Sequence, residues 1–273
     1  MDNFQLPPIG FGPGSQPEPD NELAYMELPG DMRTYTARLP EIDDAEGLAP
    51  ALALLTSLVE AADRVAKGGA NETVDLRGLD PANRRLVAET IGEGEVAMKI
   101  RGLPALAVQE SVFAGLWGVT GPGLDAIEVG RVPQAARSRA FEPILPARDL
   151  PKDASVFNAP SLLAELHDKS AGHNSADLHV VNLTLLPHTE GDLAWLETRL
   201  GQGATDILSR GYGNCRCRAT ALPHVWRVQF FNSMDSLILD TFEVTDMPEV
   251  AQAGLEDLMD SAERLRDVLE AIR

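Results

Sequence analysis

One regularity constrains this chain more than any other. Gly92, Gly94, Arg101, Gly102, Trp117 and Val119 recur as Gly201, Gly203, Arg210, Gly211, Trp226 and Val228, each pair 109 positions apart. Asp125, Glu128, Val129 and Pro133 recur as Asp240, Glu243, Val244 and Pro248, now 115 apart. A fixed spacing that long is the mark of an internal repeat, so each half must be able to adopt the same order of elements. The change of spacing means that the second copy has gained six residues, at about Phe230–Asp235.

Periodicity supplies the elements. Leu48, Leu52, Leu55, Leu58, Val59, Ala62 and Val65 fall on one helical face, and Gly68-Gly69 stops that helix. Asp80-Pro81 reads as an N-cap followed by proline at the first helical position, for a helix running to Ile91. Thr189 with Asp192 has the spacing of a capping box, for a helix running to Leu200. Each helix ends at a Gly-x-Gly that precedes a strand. A phosphate cradle needs the reverse order, so these glycines read as helix ends. Strands are expected near 74–76, 96–101, 106–119 and 126–129, then 178–185, 205–210, 215–222, 226–231 and 237–244. A last helix follows Pro248. The fold class is α/β (α+β): two related lobes, each a mixed or antiparallel sheet with flanking helices. Their boundaries are 47–140 and 161–273, joined by a proline-rich linker over 141–160.

Residues 1–46 differ. They hold seven of the 19 prolines, and nine acids against two arginines lie between Glu18 and Glu46. Such a segment buries too little apolar surface to offset its ordering entropy, so a flexible acidic tail is expected. Over the whole chain 42 Asp and Glu face 23 Lys and Arg, a net charge of -19. That balance disfavours nucleic acid and anionic membranes and favours a basic polypeptide partner. No apolar run is long enough to span a membrane, no signal peptide is visible, and two cysteines make no disulfide framework. A cytoplasmic setting follows.

No catalytic residues can be argued. The five histidines, His167, His173, His179, His188 and His224, stand at spacings unlike a ligand pair, so neither a metal site nor a cofactor is expected. Cys215 and Cys217 share a strand face and read as half-buried small residues. Cys215 remains a possible redox residue, and a Cys215/His224 pair a hydrolytic one. The features that suit binding lie together. Arg210, Tyr212 and Asn214 form a glycine-rich turn. Gln229, Phe231, Asn232, Ser233, Met234 and Asp235 surround the gained residues. Long connections on rigid sheets are where recognition usually sits.

These same stretches carry a resemblance. ILSRGYGNCR and VWRVQFFNSMDSLIL, with GEGEV, QESVFAGLWGV and the tail PGSQPEPDNELAYMELPGDMRTY, resemble the HupH/HyaF family of hydrogenase expression/formation proteins. The resemblance implies a cytoplasmic accessory protein in maturation of a membrane-bound [NiFe]-hydrogenase. Its implied partners are other hydrogenase accessory proteins and the small-subunit precursor, which carries iron–sulfur clusters and a twin-arginine leader. It implies a holding role without catalysis. An iron–sulfur or redox helper acting through Cys215 is the alternative.

Overall fold

The computed structural model describes residues 46–210 and 214–272. The acidic tail expected over 1–46 therefore lies, apart from its last residue, outside the described residues. Helices are mixed with one large antiparallel sheet. The first half runs α1 (Ala49–Ala66), β1 (Glu72–Asp75), α2 (Pro81–Ile91), β2 (Val96–Ile100), β3 (Leu106–Glu110), β4 (Leu116–Gly121), β5 (Leu124–Val129) and α3 (Gln134–Ser138). The second runs α4 (Ala159–Ala171), β6 (His179–Asn182), α5 (Glu190–Leu200), β7 (Thr205–Ser209), β8 (Asn214–Ala219), β9 (Val225–Phe231), β10 (Leu237–Val244) and a 3-10 turn over Glu249–Ala251. Helix α6 (Leu255–Ile272) closes the chain.

The local signals act where they stand. Asp80 Oδ1 accepts from the amides of Ala82 and Asn83 at 2.9 and 3.0 Å, starting α2. Thr189 and Asp192 form the reciprocal capping box of α5. Gly92 and Gly201 end the two helices at φ of 56° and 66°, where a side chain would be strained. Proline 160 does not break structure as expected. It lies in the first turn of α4, where its missing amide has no intrahelical acceptor to lose. Strand β6 is shorter than expected, because the chain turns at Leu183 and Thr184 Oγ1 accepts from the Asp240 amide instead.

The expected two lobes, each with its own sheet, are replaced by a shared one. The strand order is β1-β5-β4-β3-β2-β7-β8-β9-β10-β6. Each half alone would leave the outer edge of β2 or β7 unpaired, and the two edges satisfy one another. In that seam Val96 faces Ser209, Met98 faces Ile207 and Ile100 faces Thr205. Met98 thus meets the residue that stands 109 positions later.

Side chains alternate between the two faces. One face is covered along its middle: Met98, Ile207, Cys217, Trp226 and Val228 pack with Ala136 and Ala140 at and just after α3, and with Met247 and Ala251. Among the described residues, the other face is covered only at its ends. Helices α1, α2 and α6 pack over Leu116, Ile127 and Val129, and α4 and α5 pack over Val181, Val225, Phe242 and Val244. Between these two helical layers, β2, β7 and β8 present exposed side chains.

Candidate functional site

That uncovered strip is the site the fold makes. In β8, NCRCRA, the alternation sends Cys215, Cys217 and Ala219 inward and leaves Arg216 and Arg218 exposed. Register places Arg216 between Leu208 and Gln229, and Arg218 between Asp206 and Arg227. Across the seam Lys99 faces Asp206. The result is a cleft of about 530 Å³ lined by Lys99, Arg101, Arg210, Arg216 and Arg218, with Asp206 as its acid. Asp206 pairs with Arg101 at 2.5 Å and stands 4.0 Å from Arg218. The Arg216 guanidinium lies 4.6 Å over the Phe231 ring. Among the described residues, Lys99, Arg210 and Arg216 have no carboxylate partner. A chain of net charge -19 therefore concentrates positive charge on one sheet surface that no other described element covers. Register puts Ala107 and Gln109 of β3 where β8 has Arg216 and Arg218, so these two arginines have no counterpart in the first half.

Beside the strip, Arg227 is nearly buried. Its Nε and a terminal nitrogen donate to the two oxygens of Asp240 at 2.9 and 2.5 Å, and it also meets Glu197 of α5. Burial pushes its pKa down, but the Asp240 bonds outweigh that and hold it above the usual arginine value. Gln229 donates to the same carboxylate at 3.3 Å. This network fixes the strip's floor rather than offering free groups.

The residues gained in the second half lengthen the β9–β10 hairpin. The first-half hairpin pairs Gly121 with Leu124 around two residues, whereas the second pairs Phe231 with Leu237 around five. Asn232 Oδ1 accepts from the amides of Met234 and Ser236, both at 2.9 Å, so this side chain holds the turn together. Asp235, at φ 56°, accepts from Asn214 Nδ2 at 3.0 Å and ties the hairpin to β8. Ser233 is exposed, and Met234 is 80% exposed with Leu237 and Ile238 beside it. Of the residues expected from sequence, Arg210, Asn214, Gln229 and Phe231 thus gather at the strip, with Asn232, Ser233, Met234 and Asp235 on the hairpin at its end. Tyr212 lies outside the described residues.

The cysteine readings fare differently. Cys215 is 2% exposed on the covered face, and its Sγ lies 3.8 Å from that of Cys217. The hydrogen bond to Cys215 and burial push the Cys217 thiol up, away from the reactive thiolate. The fold separates the proposed Cys215/His224 pair. Cys215 sits opposite Phe230, four residues along β8 from the turn that carries His224, roughly 13 Å at strand rise. His224 instead stacks on His173, with ring centroids 4.2 Å apart. Sequence reasoning missed Lys99, Arg101, Arg216 and Arg218. For Arg216 and Arg218 the signal was the alternation C-R-C-R, which places arginines on the face opposite buried cysteines.

A family model described as HupH hydrogenase expression protein, C-terminal conserved region, matches residues 48–144 and 156–272. The hydrogenase expression/formation protein HupH of Rhodobacter capsulatus is 62% identical over all of both chains. HoxQ of Cupriavidus necator, also a hydrogenase expression/formation protein, is 44% identical over 99% of this chain and 98% of its own. The hydrogenase-1 operon protein HyaF of Escherichia coli is 31% identical, covering 95% and 94%.

Proposed function

The chain belongs to the HupH family of hydrogenase expression/formation proteins, and on that premise we propose that it is a non-enzymatic accessory protein that holds a hydrogenase polypeptide on the basic strip. The observation that carries this reading is the uncovered middle of the sheet, where Lys99, Arg101, Arg210, Arg216 and Arg218 converge between two helical layers. A sheet surface walled on two sides suits an extended segment, and unpaired guanidinium groups suit its carboxylates. The exposed Met234, Leu237 and Ile238 add a pliable apolar contact at one end. The two halves act as copies of one unit, of which the second adds Arg210, Arg216, Arg218 and the longer hairpin to this contact.

The client is the hydrogenase small-subunit precursor, held in the cytoplasm before export. The acidic remainder of the surface speeds encounter with its basic leader, while the strip takes an acidic stretch of the same client. No helix among the described residues is long and apolar enough to cross a membrane.

The test is co-purification of tagged protein with the small-subunit precursor from cells expressing the hydrogenase operon. Reversing charge with Arg216→Glu and Arg218→Glu together is expected to abolish recovery of the precursor while leaving the thermal transition in place. Undiminished recovery with that folded variant would remove the strip from the account. Recovery of a different hydrogenase polypeptide would keep the strip and replace the client.

A further inference from the structure

Three turns of the second half converge away from the strip. His173 follows Gly172 at the end of α4, His224 lies in the β8–β9 turn, and Asp246 follows β10. Asp246 Oδ1 stands 3.1 Å from His173 Nε2 and 3.0 Å from His224 Nδ1. Potential ligand atoms of all three residues lie within 4.8 Å of one another. The three come from segments far apart in sequence, so neither spacing nor a shared helix explains their meeting.

The backbone adds a second observation. His224 has a φ of 63°, a region that costs a residue with a side chain on the order of 1 kcal/mol. The position 109 residues earlier is Gly115, at φ 83°, with the same backbone link: Gly130 donates to its carbonyl as Thr245 donates to that of His224. The second half therefore holds an imidazole where the first uses glycine for the same turn. His173 is almost fully buried, and His224 Nδ1 is buried without a well-formed hydrogen bond. A buried ring nitrogen 3.0 Å from a carboxylate oxygen, but not hydrogen-bonded to it, is an arrangement a shared cation completes.

We propose that His173, His224 and Asp246 form a binding site for a late first-row divalent metal ion, of which zinc is the type. Two imidazole nitrogens and one carboxylate oxygen are a borderline donor set. They suit zinc and its neighbours, whereas magnesium and calcium require mostly oxygen. Asp246 also lines a cleft of about 660 Å³ with Ser175, Arg131 and Gln252, so a further coordination position faces open space. The ion pins the end of α4 to the two turns that bracket β9 and β10. This site is independent of the client reading, because it shares no residue with the strip.

Metal-stripped full-length chain would be titrated with zinc against a chromophoric chelator, then with magnesium. The expected result is one zinc per chain, undisturbed by excess magnesium. Asp246→Asn and His173→Gln are each expected to weaken it by roughly 10- to 100-fold. Cobalt on the unaltered chain supplies a readout that needs no variant. It should give the visible bands of nitrogen and oxygen ligation, without the intense near-ultraviolet band of thiolate. No stoichiometric zinc binding, zinc binding that both variants retain, or a cobalt–thiolate band would each overturn the site.

Discussion

Asp192 offers the sharpest test of how the second half is assembled. It is 1% exposed, and its carboxylate serves two helix starts at once. Oδ1 accepts from the amides of Phe157, Asn158 and Ala159 at 2.7, 2.9 and 3.0 Å, at the entry to α4. Oδ2 accepts from the Thr189 amide at 3.0 Å, at the entry to α5. Burial pushes the carboxyl up, but these amides outweigh it and hold the pKa at about 2, against 3.8 unperturbed. The folded state therefore binds the proton less tightly than the unfolded chain. The charge contributes stability above about pH 4, and that stability is lost as pH falls towards 2. A shift of nearly two units corresponds to about 2.5 kcal/mol at pH 7, and linkage leaves roughly half of that at pH 3. Asp192→Asn keeps an acceptor for the α4 amides but turns an NH₂ towards the Thr189 amide, which adds about 1 kcal/mol. Urea denaturation should give a loss of about 3.5 kcal/mol at pH 7, narrowing by about 1 kcal/mol at pH 3. A loss below about 1 kcal/mol, or one that does not change with pH, would refute the reasoning.

Other perturbations bear on separate parts of the account. Burial, against amide bonds from Gly115 and Val96, and with repulsion from Glu95 and Asp257, raises the Glu110 carboxyl to about 7. A raised carboxyl penalises the folded state as pH climbs from 4.5 to 7, so Glu110→Gln should stabilise by about 3 kcal/mol at pH 8 and hardly at pH 4, by denaturant titration. A Cβ on Gly203 would meet the carbonyl oxygens of Ala140 and Thr220 at 2.3 and 2.5 Å, so Gly203→Ala should lower stability by about 2 kcal/mol or more. Cys215 and Cys217 should react with a thiol reagent only after denaturant is added; rapid labelling of the native chain would restore a redox role.

What the sequence made legible was local. Asp80, Thr189 with Asp192, Gly92 and Gly201 act within a turn or two of where they stand, so helix starts and stops could be read directly. The seam of β2 on β7 could not, because its register pairs residues over a hundred positions apart and nothing in either strand names its partner. The same long range hid the strip: Lys99 and Arg218 flank Asp206 only once the seam forms. Attention went to the hairpin because its added residues are visible as a change of spacing, and the fold puts that hairpin at the strip's end. It also converts Asn232 from a contact residue into a turn brace. His173, His224 and Asp246 were invisible because they occupy three turns whose approach depends on the whole second half.

The central claim is that the uncovered middle of the sheet holds the client. It is tested most directly by placing a photoreactive benzoylphenylalanine at position 208, in the strip between Ala97 and Arg216, and at position 89 on the exposed side of α2. Irradiation of the complex should link position 208 to the small-subunit precursor and leave position 89 unlinked. Crosslinks from position 89, with none from position 208, would contradict it.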